Sequence, residues 1–268
     1  MIALVKIGGS VLTDKQRPLV FQHANAHRVA ADIRLSRTVP VIVHGTGSWG
    51  KAIGRHYHDG GGWYRDTMGF QMTTARIRLL QEALVTALRK EGVVCCPLQA
   101  NALFHRSRGT LELPDAGAIS RLVAAGVSPV LCGDLLVEGL GKFRVVSSDA
   151  IAVAIAGRMT VSDCVFATDV DGVWDSAGRL LTKATEPILA AADSDARDVS
   201  GGMSAKVAAA LEIAGTGART TIVNGSVGGR VLDALMRRSV PGTEVLRPAA
   251  AARLGTDRDD IGAGTTSR

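Results

Sequence analysis

Apolar stretches alternate with amphipathic ones along most of the chain. Short runs rich in Val, Ile, Leu and Cys predict buried strands at residues 3–7, 39–44, 93–98, 127–133, 163–170 and 220–225. Helical periodicity fills the intervals, most clearly at residues 22–37, 66–91, 115–125, 150–158 and 200–214. Fully apolar strands that alternate with helices are typical of parallel sheets covered on both faces. The pattern therefore predicts an α/β fold, a three-layer αβα sandwich around a central, mainly parallel sheet of about eight strands.

Two segments interrupt this alternation. Residues 102–113 predict a hairpin that turns at Arg108 and Gly109, and residues 134–146 predict a second hairpin around residues 139–141. From residue 249 the apolar periodicity ceases, so residues 249–268 are predicted to form a disordered tail. The folded part of the chain is therefore expected to end near residue 248.

The composition is typical of a cytoplasmic protein. Hydrophobic residues make up 46% of the 268 positions, which is enough for a substantial core. No apolar run reaches the roughly 18 to 20 residues of a membrane-spanning helix, so no membrane partner is expected. The opening MIALVKIGGS predicts a first strand rather than a signal peptide, because Lys6 interrupts it and no cleavage site follows. The four cysteines lie in apolar runs without metal-site spacing, which is typical of thiols in a reducing compartment.

The net charge of +6 is compatible with two kinds of anionic partner. Nucleic acid is disfavoured because basic and acidic residues are interleaved, with neither a basic run nor a stacking motif. A diffuse positive balance also suits an enzyme that binds small polyanions, and we favour that interpretation. No protein metal site is expected, since His56 and His58 have no further ligand cluster beside them.

Lysine is scarce in this arginine-rich chain, and its positions are informative. Lys6, Lys15, Lys51 and Lys206 all lie in or beside glycine-rich loops that follow predicted strands. A compact ammonium group serves as a point charge among phosphate oxygens, whereas the guanidinium of arginine is a planar fork. In such loops, glycine allows backbone N–H groups to approach phosphate, and the next helix contributes its positive end. The pattern predicts a phosphate-binding site at the carboxyl ends of the strands.

Two common phosphate motifs do not match these loops. A Walker-type loop would end in Gly-Lys-Ser/Thr, but Ala52 follows the string GTGSWGK. The same string resembles a dinucleotide fingerprint, yet the residues after it do not form a strand–helix–strand unit with the required acidic residue.

Taken together, the loops resemble those of one family. KIGGSVLTDK (6–15), VHGTGSWGK (43–51), SSDAIA (147–152), TDVDGVW (168–174) and DVSGGMSAK (198–206) occur in the order and spacing of the amino-acid-kinase superfamily. Within it, the chain is most similar to isopentenyl phosphate kinases and also resembles fosfomycin kinases. The resemblance runs from residue 2 to about residue 246. It implies the amino-acid-kinase fold, with residues 1–159 binding the phosphoryl acceptor and residues 160–248 binding the nucleotide.

The resemblance also implies roles for individual residues. Lys6 and Lys206 resemble the lysines that neutralise the ATP phosphates. Lys15 resembles a second cation at the transfer site, and Asp149 resembles the carboxylate that orients the lysines. The implied ATP-binding residues are Gly8, Gly9, Ser10, Asp169, Asp171, Gly172, Gly201, Gly202 and Met203. The implied acceptor-binding residues are Gly45, Thr46, Gly47, Ser48 and Gly50. Mg²⁺ is implied as a partner of the ATP phosphates, and a homodimer as the assembly.

The acceptor loop departs from the family pattern. Isopentenyl phosphate and fosfomycin kinases have Gly-Gly-Gly-Ser/Ala-Phe-Gly-His there, and the histidine contacts the acceptor. Here Thr46 replaces a glycine, Trp49 replaces phenylalanine and Lys51 replaces the histidine. A cation is kept, so the prediction is a kinase for a small anionic acceptor, a phosphate or phosphonate monoester. A kinase for a carboxylate or hydroxyl group and a non-catalytic nucleotide-binding regulator are the alternatives.

Overall fold

A computed structural model describes residues 1–57, 59, 61–64, 66–139, 141–175, 177–187 and 202–247, without the side chains of Lys51 and Arg55. The predicted tail, residues 249–268, lies outside the described residues, as do His58 and Gly201. Within the described ranges, no helix combines the length and the apolar character needed to span a bilayer.

The secondary structure follows the predicted alternation of strands and helices. The strands, in chain order, are β1 (Ile2–Ile7), β2 (Val41–His44), β3 (Trp63–Tyr64), β4 (Cys95–Pro97), β5 (His105–Ser107), β6 (Thr110–Glu112), β7 (Ser128–Cys132), β8 (Asp134–Val137), β9 (Phe143–Val146), β10 (Val161–Thr168), β11 (Val173–Trp174), β12 (Leu180–Leu181), β13 (Lys183–Ala184), β14 (Arg219–Asn224) and β15 (Gly242–Val245). The helices are α1 (Gly9–Leu12), α2 (His23–Ser36), α3 (Gly47–Tyr57), α4 (Thr67–Lys90), α5 (Ala100–Leu103), α6 (Gly117–Ala124), α7 (Ser148–Arg158), α8 (Gly202–Gly215) and α9 (Arg230–Leu235).

One eight-stranded sheet forms the centre of the molecule, in the order β13-β15-β14-β10-β1-β2-β7-β4. All neighbouring strands in it run parallel except β14 and β15, which are antiparallel. The predicted mainly parallel sheet of about eight strands is thus confirmed. The strands from β1 to β4 in this order come from residues before 160, and those on the other side come from residues after it. Strands β1 and β10 therefore join the two halves of the chain.

Alternate side chains of the inner strands bury opposite faces of the sheet, as the geometry of a strand requires. Leu4 and Val43 contact the core that α5, α6, α7 and α8 cover, whereas Val5 and Ile42 contact the core under α1, α2, α4 and α9. All four side chains are fully buried. This two-sided burial explains why these strands are apolar at most positions rather than alternating, with Lys6 in β1 and His44 in β2 as exceptions.

The ends of the long helix α4 follow from its sequence. Asp66 caps the first turn, since its carboxylate accepts a hydrogen bond from the N–H of Met68 at 2.9 Å. Arg89 and Lys90 occupy the last turn, where cations are favourable. Gly92 then takes a positive φ of 80°, a conformation that glycine adopts without the penalty of a side chain.

Smaller sheets lie outside the central one. Strands β5 and β6 form the first predicted hairpin, and β8 and β9 form the second, with β3 added along β9. The predicted loop GTGSWG is different in the structure, because α3 already begins at Gly47. The positive φ of Gly47 turns the chain so that the string enters a helix after only two residues of loop.

A buried carboxylate ties the two halves of the chain together. Asp32 in α2 accepts hydrogen bonds from the backbone N–H groups of Gly229, Val231 and Leu232, at 2.9, 3.0 and 3.2 Å. These groups open α9, whose first N–H groups have no partner inside the helix. Asp32 therefore caps a helix that lies nearly 200 residues away in sequence.

Candidate active site

The predicted motif loops converge at one edge of the central sheet. Gly8 donates its N–H to the carbonyl of Ala167 at 2.7 Å, and Gly45 donates to Ile7 at 2.9 Å. These bonds hold the first residues of two loops against the ends of β10 and β1. The carboxyl ends of adjacent parallel strands are where α/β sheets bind ligands. The fold thus brings together loops that are far apart in sequence, such as those of Ser10 and Asp169, which are 159 positions apart.

The first loop, residues 8–10, and the acceptor loop, residues 45–50, touch backbone to backbone. A Cβ atom added to Gly9 would lie 2.5 Å from the Cα of Gly47 and closer still to its nitrogen. One added to Gly45 would lie 2.7 Å from the nitrogen of Gly9. Real Cβ contacts are essentially never this short. Glycine is required here by the close approach of the two loops, which the sequence pattern alone did not reveal.

Lys6, Asp149 and Lys206 form a charged cluster beneath these loops. The Nζ of Lys6 lies 2.6 Å from Oδ1 of Asp149, and both residues are buried, with 3% and 8% exposure. Asp149 is in the first turn of α7, behind the N-cap Ser147, whose hydroxyl accepts the N–H of Ala150. Lys206 is in the first turns of α8, close enough to Lys6 for the two ammonium groups to repel each other.

Two lysines share one carboxylate here, so the cluster has a net positive charge whenever Lys206 is protonated. Burial of the ammonium group, and then repulsion by Lys6, lower the pKa of Lys206 to about 7, against the opposing attraction of Asp149. An anion placed between the lysines would supply the missing negative charge. The charges and burial of the cluster are compatible with phosphate oxygens, and the phosphate site stays a prediction.

Asp169 links Lys15 and Ser10 above this cluster. Its carboxylate lies 2.6 Å from the Nζ of Lys15 and accepts the hydroxyl hydrogen of Ser10 at 2.7 Å. Burial alone would raise the pKa of Asp169, but the hydrogen bonds from Lys15 and Ser10 outweigh it and lower that pKa. The side chain of Lys15 is 67% exposed, so an incoming polyphosphate can reach it directly.

The loop after β10 also has contacts that the sequence did not indicate. Oδ1 of Asp171 accepts hydrogen bonds from Asn224 at 2.9 Å and from Arg230 at 2.6 Å. The hydrogen bond from Asn224, followed by that from Arg230, lowers the pKa of Asp171. A Cβ on Gly172 would lie 2.6 Å from Oγ1 of Thr243, which explains the glycine. Arg230 is in no motif, and only its place at the start of α9 brings it to Asp171.

The altered acceptor loop has its own packing. Thr46 lies against Gly50, where an added Cβ would come within 2.7 Å of the threonine Cβ, and its methyl group faces Gly133. The hydroxyl of Ser48 and the indole N–H of Trp49 are buried without a hydrogen-bond partner among the described residues. Buried polar groups normally have partners, so both are available to a ligand. The backbone of Lys51 continues α3, and its side chain lies outside the described part.

The remaining predicted positions fall at the start of α8 or outside the described residues. Gly202 opens the helix with a positive φ of 59°, and Met203 packs against the core under α7 and α8. Gly201 lies outside the described part. In that part, no group of three or more His, Cys, Asp and Glu residues could hold a metal ion.

Thr13 is a further residue at this site whose role the sequence did not indicate. Its buried hydroxyl donates to the carbonyl of Gly9 at 2.8 Å and accepts the N–H of Ser48 at 3.0 Å. It stands in the KIGGSVLTDK string, but its partner Ser48 is 35 positions away.

The sequence and the fold of this chain are similar to those of known proteins. An isopentenyl phosphate kinase of Methanothermobacter thermautotrophicus is 29% identical over 261 residues, which cover 90% of this chain and 98% of that protein. An isopentenyl phosphate kinase of Haloferax volcanii is 30% identical, over 77% of this chain and 86% of that protein. An X-ray structure of isopentenyl phosphate kinase superposes with a TM-score of 0.79 at 26% identity, covering 91% of this chain and all of that one.

The sequence profile of one family matches most of the chain. The match spans residues 1–224 and so includes the first loop, the acceptor loop, the lysine cluster and the loop after β10. The chain belongs to the amino acid kinase family.

Proposed function

We propose that this ATP-dependent kinase transfers the γ-phosphoryl group of ATP to a phosphate or phosphonate monoester. The main observation behind this proposal is that the first loop and the acceptor loop touch backbone to backbone. Lys6 and Lys206 lie beneath this contact. Two phosphate groups bound by these loops would lie side by side, which is what transfer between them requires. The relatives that match over most of the chain are named for a phosphate monoester, isopentenyl phosphate.

In the proposed reaction, an oxygen of the acceptor phosphate attacks the γ-phosphorus of ATP. The bond from that phosphorus to the β,γ-bridging oxygen breaks, ADP leaves, and the acceptor becomes a diphosphate or phosphonyl phosphate. Such transfer depends mainly on positioning and on stabilising charge, because the protein has little covalent chemistry to perform.

The residues of the cluster have separate roles in this mechanism. Lys6 and Lys206 neutralise the transferring group, and Asp149 holds Lys6 in place through the 2.6 Å ion pair. Backbone N–H groups of Gly8, Gly9 and Ser10 bind the β- and γ-phosphates. Lys15 adds a cation when phosphate draws it from Asp169. Mg²⁺ would enter with ATP, with few or no protein carboxylates as its ligands, and would offset part of the phosphate charge.

The loops of the second half of the chain bind the nucleotide in this proposal. They comprise Asp169, Asp171 and Gly172 after β10, and Gly201, Gly202 and Met203 before and within α8. The anchoring of Asp171 by Asn224 and Arg230 supports this role, since it fixes an exposed carboxylate beside the phosphate site. Residues 160–248 would thus form the nucleotide-binding part, and residues 1–159 the acceptor-binding part.

The lowered pKa of Lys206 predicts that ATP binding takes up a proton. Free Lys206, with a pKa of about 7, is mostly neutral at pH 8, whereas phosphate oxygens beside it raise the pKa and restore the charge. We expect uptake approaching about one proton per ATP near pH 8 and little near pH 6, where Lys206 is already charged. Titration calorimetry in buffers of different ionisation enthalpy measures the number of protons taken up per ATP bound. Lys206→Met should abolish the uptake, and equal uptake in that variant would contradict this assignment.

Lys51 is proposed to face the anionic group of the acceptor, in place of the family histidine. Lys51→Ala should then raise the acceptor KM and lower kcat/KM while leaving the KM for ATP nearly unchanged. Lys51→His should regain activity as the pH falls toward about 6, because an unperturbed imidazole becomes charged there. Steady-state kinetics with each substrate varied checks both. Equal effects on the two substrates, or none, would leave Lys51 as a solvent-facing residue.

An acceptor screen tests the proposed function. The purified protein is incubated with ATP, Mg²⁺ and, separately, phosphate monoesters, phosphonates, carboxylates and alcohols, and product masses are read. A diphosphate product supports the proposal, whereas an acyl phosphate or a new monophosphate would point to the first alternative. ADP formation with none of them, together with ATP binding, would point to the nucleotide-binding regulator. Retention of Lys6, Lys15, Asp149 and Lys206 argues against that last outcome.

We further propose a cytoplasmic homodimer. The absence of disulfides among four free cysteines accords with a reducing compartment. Helix α4 exposes Met68, Met72 and Leu79, which could be covered in a dimer formed through the first half of the chain. Light scattering of the purified protein tests the assembly.

A further inference from the structure

The side chain of Thr13, which is buried, joins the first loop to the acceptor loop. The residue is 2% exposed and follows α1 directly, at the end of the segment that opens with the first loop. Its hydroxyl donates to the carbonyl of Gly9 at 2.8 Å and accepts the N–H of Ser48 at 3.0 Å. Both capacities of the hydroxyl, as donor and as acceptor, are thus used, one on each loop.

The partners of Thr13 are located where the loops bind their ligands. Gly9 is in the first loop, and its carbonyl also accepts the backbone N–H of Thr13 at 2.9 Å. The N–H of Ser48 belongs to the first turn of α3, where no carbonyl of the helix can reach it. Thr13 therefore caps the helix that starts in the acceptor loop, although it belongs to the other loop.

The glycines at this contact leave space for the threonine. A Cβ on Gly47, whose φ is +51°, would overlap the Thr13 hydroxyl and lie 2.7 Å from the carbonyl oxygen of Gly9. The backbone at Gly47 thus packs against the Thr13 hydroxyl with no room for a side chain between them. Any shift of one loop against the other has to break a hydrogen bond to Thr13 or compress this contact.

We propose that Thr13 is a positioning residue, whose hydroxyl sets the separation between the donor and acceptor phosphates. This rests on the proposed function in one respect, that the loops hold the two phosphates. The Thr13 hydroxyl bonds to Gly9 and Ser48, so we assign its effect to these two loops rather than to a substrate contact. Its contribution is to keep the reacting groups at attack distance, where a misplacement of about 1 Å can cost up to about 10²-fold in rate.

Thr13→Val removes the hydroxyl and keeps the shape of the side chain. With isopentenyl phosphate as the probe acceptor, we expect kcat to fall about 10- to 100-fold and the KM for ATP to change less than about threefold. Thr13→Ser restores the hydroxyl and should recover most of the lost kcat. Thr221→Val is the matched control, because the buried hydroxyl of Thr221 has no partner among the described residues. It should behave as the wild type.

A second measurement works without any acceptor. Hydrogen–deuterium exchange of peptides that cover residues 45–50 is followed with and without ATP. If Thr13 transmits the ordering of the first loop, ATP slows exchange there in the wild type and in Thr13→Ser but not in Thr13→Val. The same slowing in Thr13→Val would overturn the proposal, whatever the acceptor is.

The kinetic results can also overturn it. An unchanged kcat in Thr13→Val would do so, as would a lowered kcat that Thr13→Ser fails to restore. A wild type that phosphorylates no monoester, yet shows the Thr13-dependent slowing, refutes the proposed acceptor class and not this role.

Discussion

Lys206→Ala is expected to lower kcat at least about 10²-fold, the scale for losing one group that stabilises charge in a transition state. Lys206 lies beside Lys6 in a cluster with one carboxylate, and in the proposed mechanism its charge stabilises the transferring phosphoryl group. ATP binding should weaken less than turnover, because the interaction strengthens as charge develops on the transferring group. Stopped-flow or steady-state kinetics, with ATP affinity measured separately, gives both quantities.

Lys6→Ala should reduce kcat on the same scale, with an additional effect on folding. Lys6 is buried and its removal leaves Asp149 without its 2.6 Å partner, so Lys6→Met, which keeps the volume, is the better variant. Thermal unfolding identifies variants that remain folded. Lys183→Ala, at an exposed lysine on the edge of the sheet, is the control and should match the wild type. Turnover near the wild-type value in a folded Lys206→Ala or Lys6→Met protein would remove these lysines from the mechanism.

Gly9→Ala is the second change for which we expect a large loss, of about 10²-fold or more in kcat. The new methyl group would lie 2.5 Å from the Cα of Gly47, in backbone that cannot turn aside as a side chain can. The first loop and the acceptor loop must therefore separate, by about 1 Å if ordinary van der Waals contact is restored. In the proposed mechanism, that displacement would move the donor and acceptor phosphates apart.

Gly157→Ala provides the comparison for Gly9→Ala. Gly157 lies near the end of α7, away from the site, and a Cβ added there would meet nothing within 4 Å. The kcat of Gly157→Ala should therefore stay unchanged. Kinetics of both variants, together with their thermal stability, separates misalignment of the loops from loss of the fold. A Gly9→Ala protein with kcat within about threefold of the wild type would show that the loops do not need their close contact.

The elements of this fold could be predicted because their sequence signals are local. Apart from Lys6, strand β1 is apolar on both faces. Helix α4 has Asp66 at its start and Gly92 after its end, and the hairpins turn at glycines. The order of the strands could not be predicted in the same way. It depends on which surfaces pack together, and β10 pairs with β1 across some 160 residues.

The sequence by itself determined that this protein has an α/β sheet with glycine-rich loops and retained lysines, and that it resembles amino acid kinases. These features can be predicted because each depends on residues that are adjacent in the sequence. Only the tertiary structure decided that Gly9 touches Gly47, that Thr13 bonds to Ser48, and that Arg230 bonds to Asp171. The same holds for Asp32, whose partners lie in the other half of the chain. Such contacts join positions that no local pattern relates, because a side chain meets its distant partner only after the sheet has assembled. The separation of the two substrate loops is one of these properties, so it belongs to the fold rather than to any motif.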